Sequence, residues 1–267
     1  MLGTFLCFHR NFLYLCNSSM AINSNNRVPN QNADWRFETK YLINLPTYFA
    51  LKNAITPYLK PDFYTKNAPN QRYLVRSLYF DTRNFRFYIE KINGISDRIK
   101  FRIRTYGNHP VDQPDIRVEM KVRKGKLMEK YGSLITHIAY QQFMDKGKWE
   151  PLDDPVLMEF ERYFHLWGLV PKTLVQYERE GFESRAIDNL RLTFDHEMRS
   201  FSTDELFPEV IYWRRHRESQ VVLEIKHKNE VPYWMTKIIQ NFHLKIIPNS
   251  KYTNSIEVAS HEINFPY

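Results

Sequence analysis

Four stretches of this chain set charged residues at every second position. Val118-Glu119-Met120-Lys121-Val122-Arg123 alternates three apolar residues with Glu119, Lys121 and Arg123. Asp97 to Tyr106 gives Arg98, Lys100, Arg102 and Arg104 one parity, and Ile99, Phe101 and Ile103 the other. Val221 to Lys228 groups Glu224, Lys226 and Lys228, and Arg36 to Ile43 groups Arg36, Glu38 and Lys40. A strand has a side-chain period of two, so each stretch carries a charged face and an apolar face. The charged faces are mostly Lys and Arg with a few Glu. Such rows suit a polyanion, because clustered cations repel one another unless a polyanion or a bound metal neutralises the site.

The elements that must position these rows follow in order. Pro46 opens a helix expected over Tyr48 to Leu59, closed by Pro57 and Pro61. Tyr73 to Phe80 is β-branched and aromatic, with Asp81-Thr82 as the cap of a short helix from Arg83 to Ile89. Asn93-Gly94 and Lys124-Gly125-Lys126 are turn signals, and Gly107 to Pro114 is a loop. From Ser133 to Leu169 the apolar spacing becomes helical, with one long loop around Pro151 to Pro155. Strands resume at Lys172 to Glu180 and at Asn189 to Met198, where Arg191, Thr193, Asp195 and Glu197 share a face. Pro232 starts a helix through Phe242. A loop at Pro248 to Tyr252 leads to a last helix ending near His261.

The bulk numbers are those of a globular chain. Of 267 residues, 43% are hydrophobic and 25% charged, enough for a core in one large domain. The net charge of +8 favours an anionic partner. The two cysteines, Cys7 and Cys16, both lie near the N-terminus. The body therefore has no disulfide framework and no thiolate zinc site, as in a reducing cytoplasm. Residues 1–34 read as an unstructured tail, or as a misassigned start with translation beginning at Met20. Leu2 to Cys16 is too short and polar to span a bilayer and lacks the basic region of a signal peptide. The folded domain is expected over 35–267, without internal repeats.

If helices cover the apolar strand faces, the charged faces must meet each other or face water. A closed antiparallel barrel with a basic lumen, covered by helices, satisfies the first condition and removes sheet edges. The fold class expected is therefore α+β.

The ordered motifs Glu38-Thr39-Lys40-Tyr41, Ser77-Leu78-Tyr79-Phe80-Asp81, Lys100-Phe101-Arg102-Ile103-Arg104, Val118-Glu119-Met120-Lys121, Tyr177-Glu178-Arg179, Arg191-Leu192-Thr193-Phe194-Asp195, Leu223-Glu224-Ile225-Lys226 and Ser250-Lys251-Tyr252 have a familiar order. It resembles that of the polyphosphate polymerase (VTC) domain, named after the vacuolar transporter chaperone complex, in the triphosphate tunnel metalloenzyme superfamily. The resemblance runs from about Trp35 to Glu257. It implies a tunnel barrel and transfer of the ATP γ-phosphoryl group to a growing polyphosphate chain with Mn²⁺ or Mg²⁺. By that resemblance Lys40, Arg102, Arg104, Lys121, Arg179 and Lys251 are catalytic phosphate-binding residues, joined by Lys130, Arg191, Ser250 and Lys226. Glu224 is the metal-binding carboxylate, with Glu119 and Glu38 as further acids.

Two departures stand out. The hydrolase branch of the superfamily opens with Glu-x-Glu-x-Lys, whereas this chain has Arg36 at the first position. The loop Pro248-Asn249-Ser250-Lys251 lacks an additional Lys that some polymerases carry. ATP and polyphosphate are the expected partners, nucleic acid is not, and product export would need a separate membrane protein. The second readings are a metal-dependent triphosphatase of the same fold and a non-catalytic polyanion-binding module. Trp213 to Arg217 reads as a solvated basic loop, and the histidines lack metal-ligand spacing.

Overall fold

The computed structural model describes residues 36–107, 116–125, 127–150, 153–186 and 189–259. The expectations for residues 1–34, for the loop after Gly107 and for the last helix beyond Ala259 lie outside them. The first strand, β1 (Phe37–Asn44), runs directly into α1 (Leu45–Ile55). Asn44 Oδ1 accepts the Thr47 N–H at 2.9 Å, and Pro46 sits in the first turn, where its missing N–H costs nothing. This helix is shifted towards the N-terminus from its expected span, because Asn44 and not Pro46 begins it. A short strand β2 (Leu59–Pro61), a five-residue helix α2 (Phe63–Asn67) and a 3₁₀ turn follow.

Strand β3 (Tyr73–Thr82) precedes α3 (Arg86–Ile92). Asp81 does serve that helix, but from a distance: its two carboxylate oxygens accept the N–H groups of Phe87 and Tyr88, at 3.0 and 3.1 Å. Strands β4 (Arg98–Thr105), β5 (Ile116–Lys124) and β6 (Leu127–Ile135) form a meander. The sequence pattern places helix from Ser133. The structure keeps β6 extended to Ile135, and Thr136 caps α4 (His137–Lys146) by accepting the Ala139 N–H. Helix α5 (Pro155–Trp167) is capped by Asp154 and stopped by Gly168 at φ +57.

The long strand β7 (Leu169–Ser184) and β8 (Arg191–Phe201) come next, then a two-residue strand β9 (Arg214–Arg215) paired with β8. The basic segment around Trp213 is thus anchored on the sheet. Its indole lies between the guanidinium groups of Arg76 and Arg199, 5.9 and 4.9 Å from the ring centre. Strand β10 (Gln220–His227), α6 (Tyr233–Asn241) and α7 (Lys251–Ala259) complete the described chain.

The strands form one antiparallel sheet in the order β1-β10-β8-β7-β3-β4-β5-β6, with β2 beside β7. The sheet curls into a half-barrel, so the architecture is α+β. The expected closed barrel is not completed by a ladder: its two ends meet at one isolated bridge, Arg36 to Met128. Outside the curl, α1 and α6 bury Tyr48, Leu51, Ile55, Met235 and Ile238 against Leu192, Phe194, Leu223 and Ile225. Burying such a side chain contributes roughly 1.5–3 kcal/mol. Farther along, Phe143 and Phe160 of α4 and α5 pack with Phe80, Phe101 and Trp149.

Helix α7 departs from the expectation that helices cover the outside. Its Tyr252 and Ile256 pack on Val75, Tyr79, Val175, Tyr177 and Val222, all on the inner faces of their strands. This helix fills one part of the lumen and leaves the rest to the charged rows.

Candidate active site

Seven strands and the start of α7 surround a cavity of about 110 Å³. Ten of its sixteen lining residues are Lys or Arg and two are Glu. The alternation explains this: β4 contributes Lys100, Arg102 and Arg104, β1 contributes Glu38 and Lys40, and β10 contributes Glu224 and Lys226. Lys121, Lys130 and Arg179 come from β5, β6 and β7, while Ser250 and Lys251 come from the start of α7.

Two buried acids behind the lining hold the arginines. Glu119, 1% exposed, accepts from Arg102 Nε at 2.6 Å, lies 3.8 Å from Arg104 Nε and pairs with Lys130. Asp195, also 1% exposed, accepts from Arg179 Nε and Nη2 at 2.6 and 2.9 Å and from Lys251 at 2.6 Å. Burial alone would raise both carboxyls. The cations win: Arg102, Arg104 and Lys130 hold Glu119 well below the usual range, and Arg179 and Lys251 lower Asp195. Both acids stay ionised and fix the direction of their arginines. Tyr79 hydroxyl adds a contact to Arg102 Nη1 at 3.1 Å, and Ser77 accepts from Arg104 at 3.3 Å.

The lysines are held less firmly. Lys40 donates to the Asn249 carbonyl and Lys100 to Ser250 Oγ, each at 2.9 Å. Ser250 Oγ also accepts the Thr253 N–H at 3.2 Å, the spacing of a helix N-cap. Burial lowers the Lys100 ammonium far below its ordinary value, and Lys40, Lys121 and Arg98 add repulsion. Burial likewise brings Lys226 down to about 7, although Glu224 and Glu38 oppose the shift. Lys226 therefore titrates close to neutral pH while no anion is bound.

Glu38 and Glu224 face the cavity directly. Burial would raise Glu38, and repulsion from Glu224 adds to that, but Lys121, Lys226 and Lys40 together keep it below its ordinary value. Glu38 is engaged by Lys121 at 2.6 Å and Arg36 at 3.2 Å. Glu224 differs. It is 4% exposed, and its ion pairs are long: 3.7 Å to Arg179, 3.7 Å to Lys226 and 3.9 Å to Lys40. Burial would raise it, yet Lys226, Lys40, Lys251 and Lys121 hold it well below the usual range. It is an ionised carboxylate whose cations stand beyond hydrogen-bond distance.

That acceptor fits a hard divalent cation. Among the described residues no group of three or more His, Cys, Asp or Glu is gathered to hold a metal alone. The protein would supply Glu224 and Glu38, and phosphate oxygens and water would supply the remaining ligands.

Of the residues singled out in the sequence, Lys40, Arg102, Arg104, Lys121, Arg179, Lys251, Lys130, Ser250, Lys226, Glu38 and Glu224 line the one cavity. Glu119 stands behind it, occupied by cations, which does not suit a metal ligand. Arg191 does not line it: although cross-strand to Lys226, its side chain is 57% exposed and lies 3.8 Å from Asp62. Lys100, Tyr79, Tyr177 and Tyr252 line the cavity without having been singled out. Lys100 shares the parity of Arg102 and Arg104, so its signal was present. Tyr79 and Tyr177 share the inward parity of their strands too, but an aromatic residue on a strand reads first as core, as Tyr252 does on its helix.

A family model for the VTC domain matches residues 35–260. No protein of curated function shows significant sequence similarity to the chain. Among solved structures, a Bacillus halodurans protein provisionally described as an adenylate cyclase shares the fold at 14% identity and a TM-score of 0.50, over 83% of this chain and 95% of its own. A Mimivirus capping-enzyme triphosphatase aligns at 10% identity and a TM-score of 0.35, over 91% of this chain and 98% of its own.

Proposed function

The chain belongs to the VTC domain family, and from that premise we propose that it is a polyphosphate polymerase, transferring the ATP γ-phosphoryl group to the end of a polyphosphate chain. The observation that carries this reading is Glu224: a buried, ionised carboxylate whose nearest cations stand 3.7 Å away, in a cavity lined mostly by cations.

Phosphoryl transfer needs positioning and neutralisation of charge spread over the equatorial oxygens. Arg102, Arg104 and Arg179 have their guanidinium groups pre-oriented by Glu119 and Asp195, so little ordering remains when phosphate binds. Lys40, Lys100, Lys121 and Lys226 are movable point charges that leave Asn249, Ser250, Glu38 and Glu224 to follow the phosphate oxygens. Mn²⁺ or Mg²⁺ bound at Glu224 and Glu38 would draw charge from bridging phosphate oxygens. The acceptor is a phosphate end, so no side-chain nucleophile is required and transfer is direct and in line. Among the described residues no helix is long and apolar enough to cross a membrane. Export of product, as part of this proposal, falls to a separate membrane protein.

Incubation with ATP and Mn²⁺, read on a polyphosphate gel against free phosphate, tests the proposal. A ladder of long chains is expected, and Glu224→Gln is expected to abolish it while sparing much of the nucleotide binding. Free phosphate without a ladder would establish the triphosphatase instead, a reading that Arg36, in place of the first acid, disfavours. Full activity in Glu224→Gln would refute the role of that carboxylate.

A further inference from the structure

Beyond the residues that line the cavity, two of its strands lead to a group of aromatic residues. Tyr106 follows Arg104 by two positions, in the same parity, and Tyr73 is the cross-strand partner of Arg179. Tyr64 of α2 stacks on Tyr106, with ring centres 5.3 Å apart and planes 19° apart, and leans on Tyr73 at 5.5 Å. Phe63 meets Tyr64 edge-on at 5.7 Å. Burial would raise the Tyr106 hydroxyl, but the nearby Arg104 guanidinium brings it below its ordinary value, which ties this aromatic group to the phosphate-binding row.

The outer members are exposed. Phe63 is 74% and Tyr64 39% accessible. Their mount is nevertheless rigid. Asp62 caps α2 through Thr65 N–H at 2.8 Å, donates its own N–H to the Gly181 carbonyl at 2.9 Å, and its carboxylate covers Gly181. A Cβ at 181 would lie 2.1 Å from Asp62 Oδ2, so only glycine admits this docking. Gly181 N–H in turn donates to Thr65 Oγ1 at 2.6 Å. The fold thus spends a glycine and a buried carboxylate on fixing a five-residue helix whose first residue, a phenylalanine, faces water. Core packing does not explain Phe63. A planar apolar ligand beside a phosphate-binding cavity does.

We infer that Phe63, Tyr64 and Tyr106 form a stacking shelf for the base of a nucleoside triphosphate whose phosphates enter between Arg104 and Arg179. The inference rests on the phosphoryl-transfer reading above and adds the part of the donor that lies outside the cavity. Every base offers a π-face to such a shelf, so recognition is by stacking and discriminates weakly between purines.

The test compares ATP with inorganic tripolyphosphate, which carries the phosphates without a base. Phe63 is solvent-exposed, so Phe63→Ala folds. Calorimetric binding by this variant and by Phe63→Ala/Tyr64→Ala is expected to weaken ATP roughly tenfold or more, the order found when one stacking ring is removed. Tripolyphosphate binding should stay within about twofold, and Phe63→Trp should restore ATP. Equal weakening of both ligands, or undiminished ATP binding in the double variant, overturns the shelf. For the unaltered protein, 2-aminopurine riboside triphosphate should lose fluorescence on binding; binding without quenching also overturns it. These are binding readouts, so they stand apart from the gel: a protein that makes no polymer yet shows the ATP-specific loss refutes the polymerase and keeps the shelf.

Discussion

At the scale of single residues, the cavity separates two kinds of cation. Arginines rest against Glu119 and Asp195 and stay put, whereas Lys100 and Lys226 are buried with less compensation. Lys226 has the clearer consequence. Its folded-state value of about 7 lies below the roughly 10.4 of an unfolded lysine. Between those values the unfolded chain binds more protons, so without an anion the protein gains stability as pH rises from about 7 towards about 10. An anion reverses the preference by restoring the charged form. Binding of tripolyphosphate at pH 8 is therefore expected to take up protons, and affinity is expected to fall as pH rises through about 7 and beyond. Calorimetry in two buffers of different ionisation enthalpy measures the uptake. Lys226→Met should lower it without abolishing it, since Lys100 is shifted the same way. Zero uptake, or proton release, would contradict this account. The charged parity of these residues was plain in the sequence. What each charge rests on was not, because Glu119 and Arg102 face each other only through the β4–β5 register.

At the scale of elements, the outer face of β7 shows how a helix is fastened to the curl. Glu180, fully buried, accepts from the Tyr48 hydroxyl at 2.6 Å and from Lys52 at 2.6 Å, both on α1. It also accepts from Arg72 at 3.0 Å, and His196 Nε2 lies 3.0 Å away. Burial would raise this carboxyl, but His196, Lys52 and Tyr48 bring it down to about 2. That value is below the unfolded one, so its contribution is complete above about pH 4.5 and lost as pH falls towards 2. The size is on the order of 3 kcal/mol. Glu180→Gln should lower stability in urea by about that amount at pH 7 and by much less at pH 3; an equal loss at both would disprove the assignment. Element boundaries were legible at Asn93-Gly94, which ends α3, and at Pro232, which precedes α6, but not at Asn44, whose side-chain cap starts α1 ahead of Pro46. They were not legible at Ser133 to Ile135, where apolar spacing suits a helix but pairing with Ile116 to Val118 keeps the segment in the sheet. The inward placement of α7 was equally hidden, because its apolar face reads the same whichever side of a sheet it covers.

At the scale of the whole molecule, period-two charge on several strands pointed to a basic lumen, although covering the apolar faces left the charged ones either to meet each other or to face water. Closure was the part it could not supply. Whether the last strand meets the first depends on curl and stagger, which no single segment encodes. Here the meeting is a seam, made of the Arg36–Met128 bridge and spanned by the Lys121–Glu38 ion pair. On the proposed reading a bound polyphosphate competes for Lys121, so the loaded molecule holds its seam more weakly than the ligand-free one. A continuous ring releases a polymer only end-first and is processive by topology. A ring joined at a seam can shed its chain sideways, so under the proposed polymerase reading chain length is set by a race between extension and lateral escape. A disulfide between cysteines placed at 36 and 128, in a background lacking Cys7 and Cys16, is expected to lengthen the products, and reduction should shorten them again. Unchanged lengths would mean that chains leave only by the mouths. Longer products from the locked ring would instead make the missing half of a ladder a ratchet's release: a stop signal written into the wall of the vessel and carried by no residue of its chemistry.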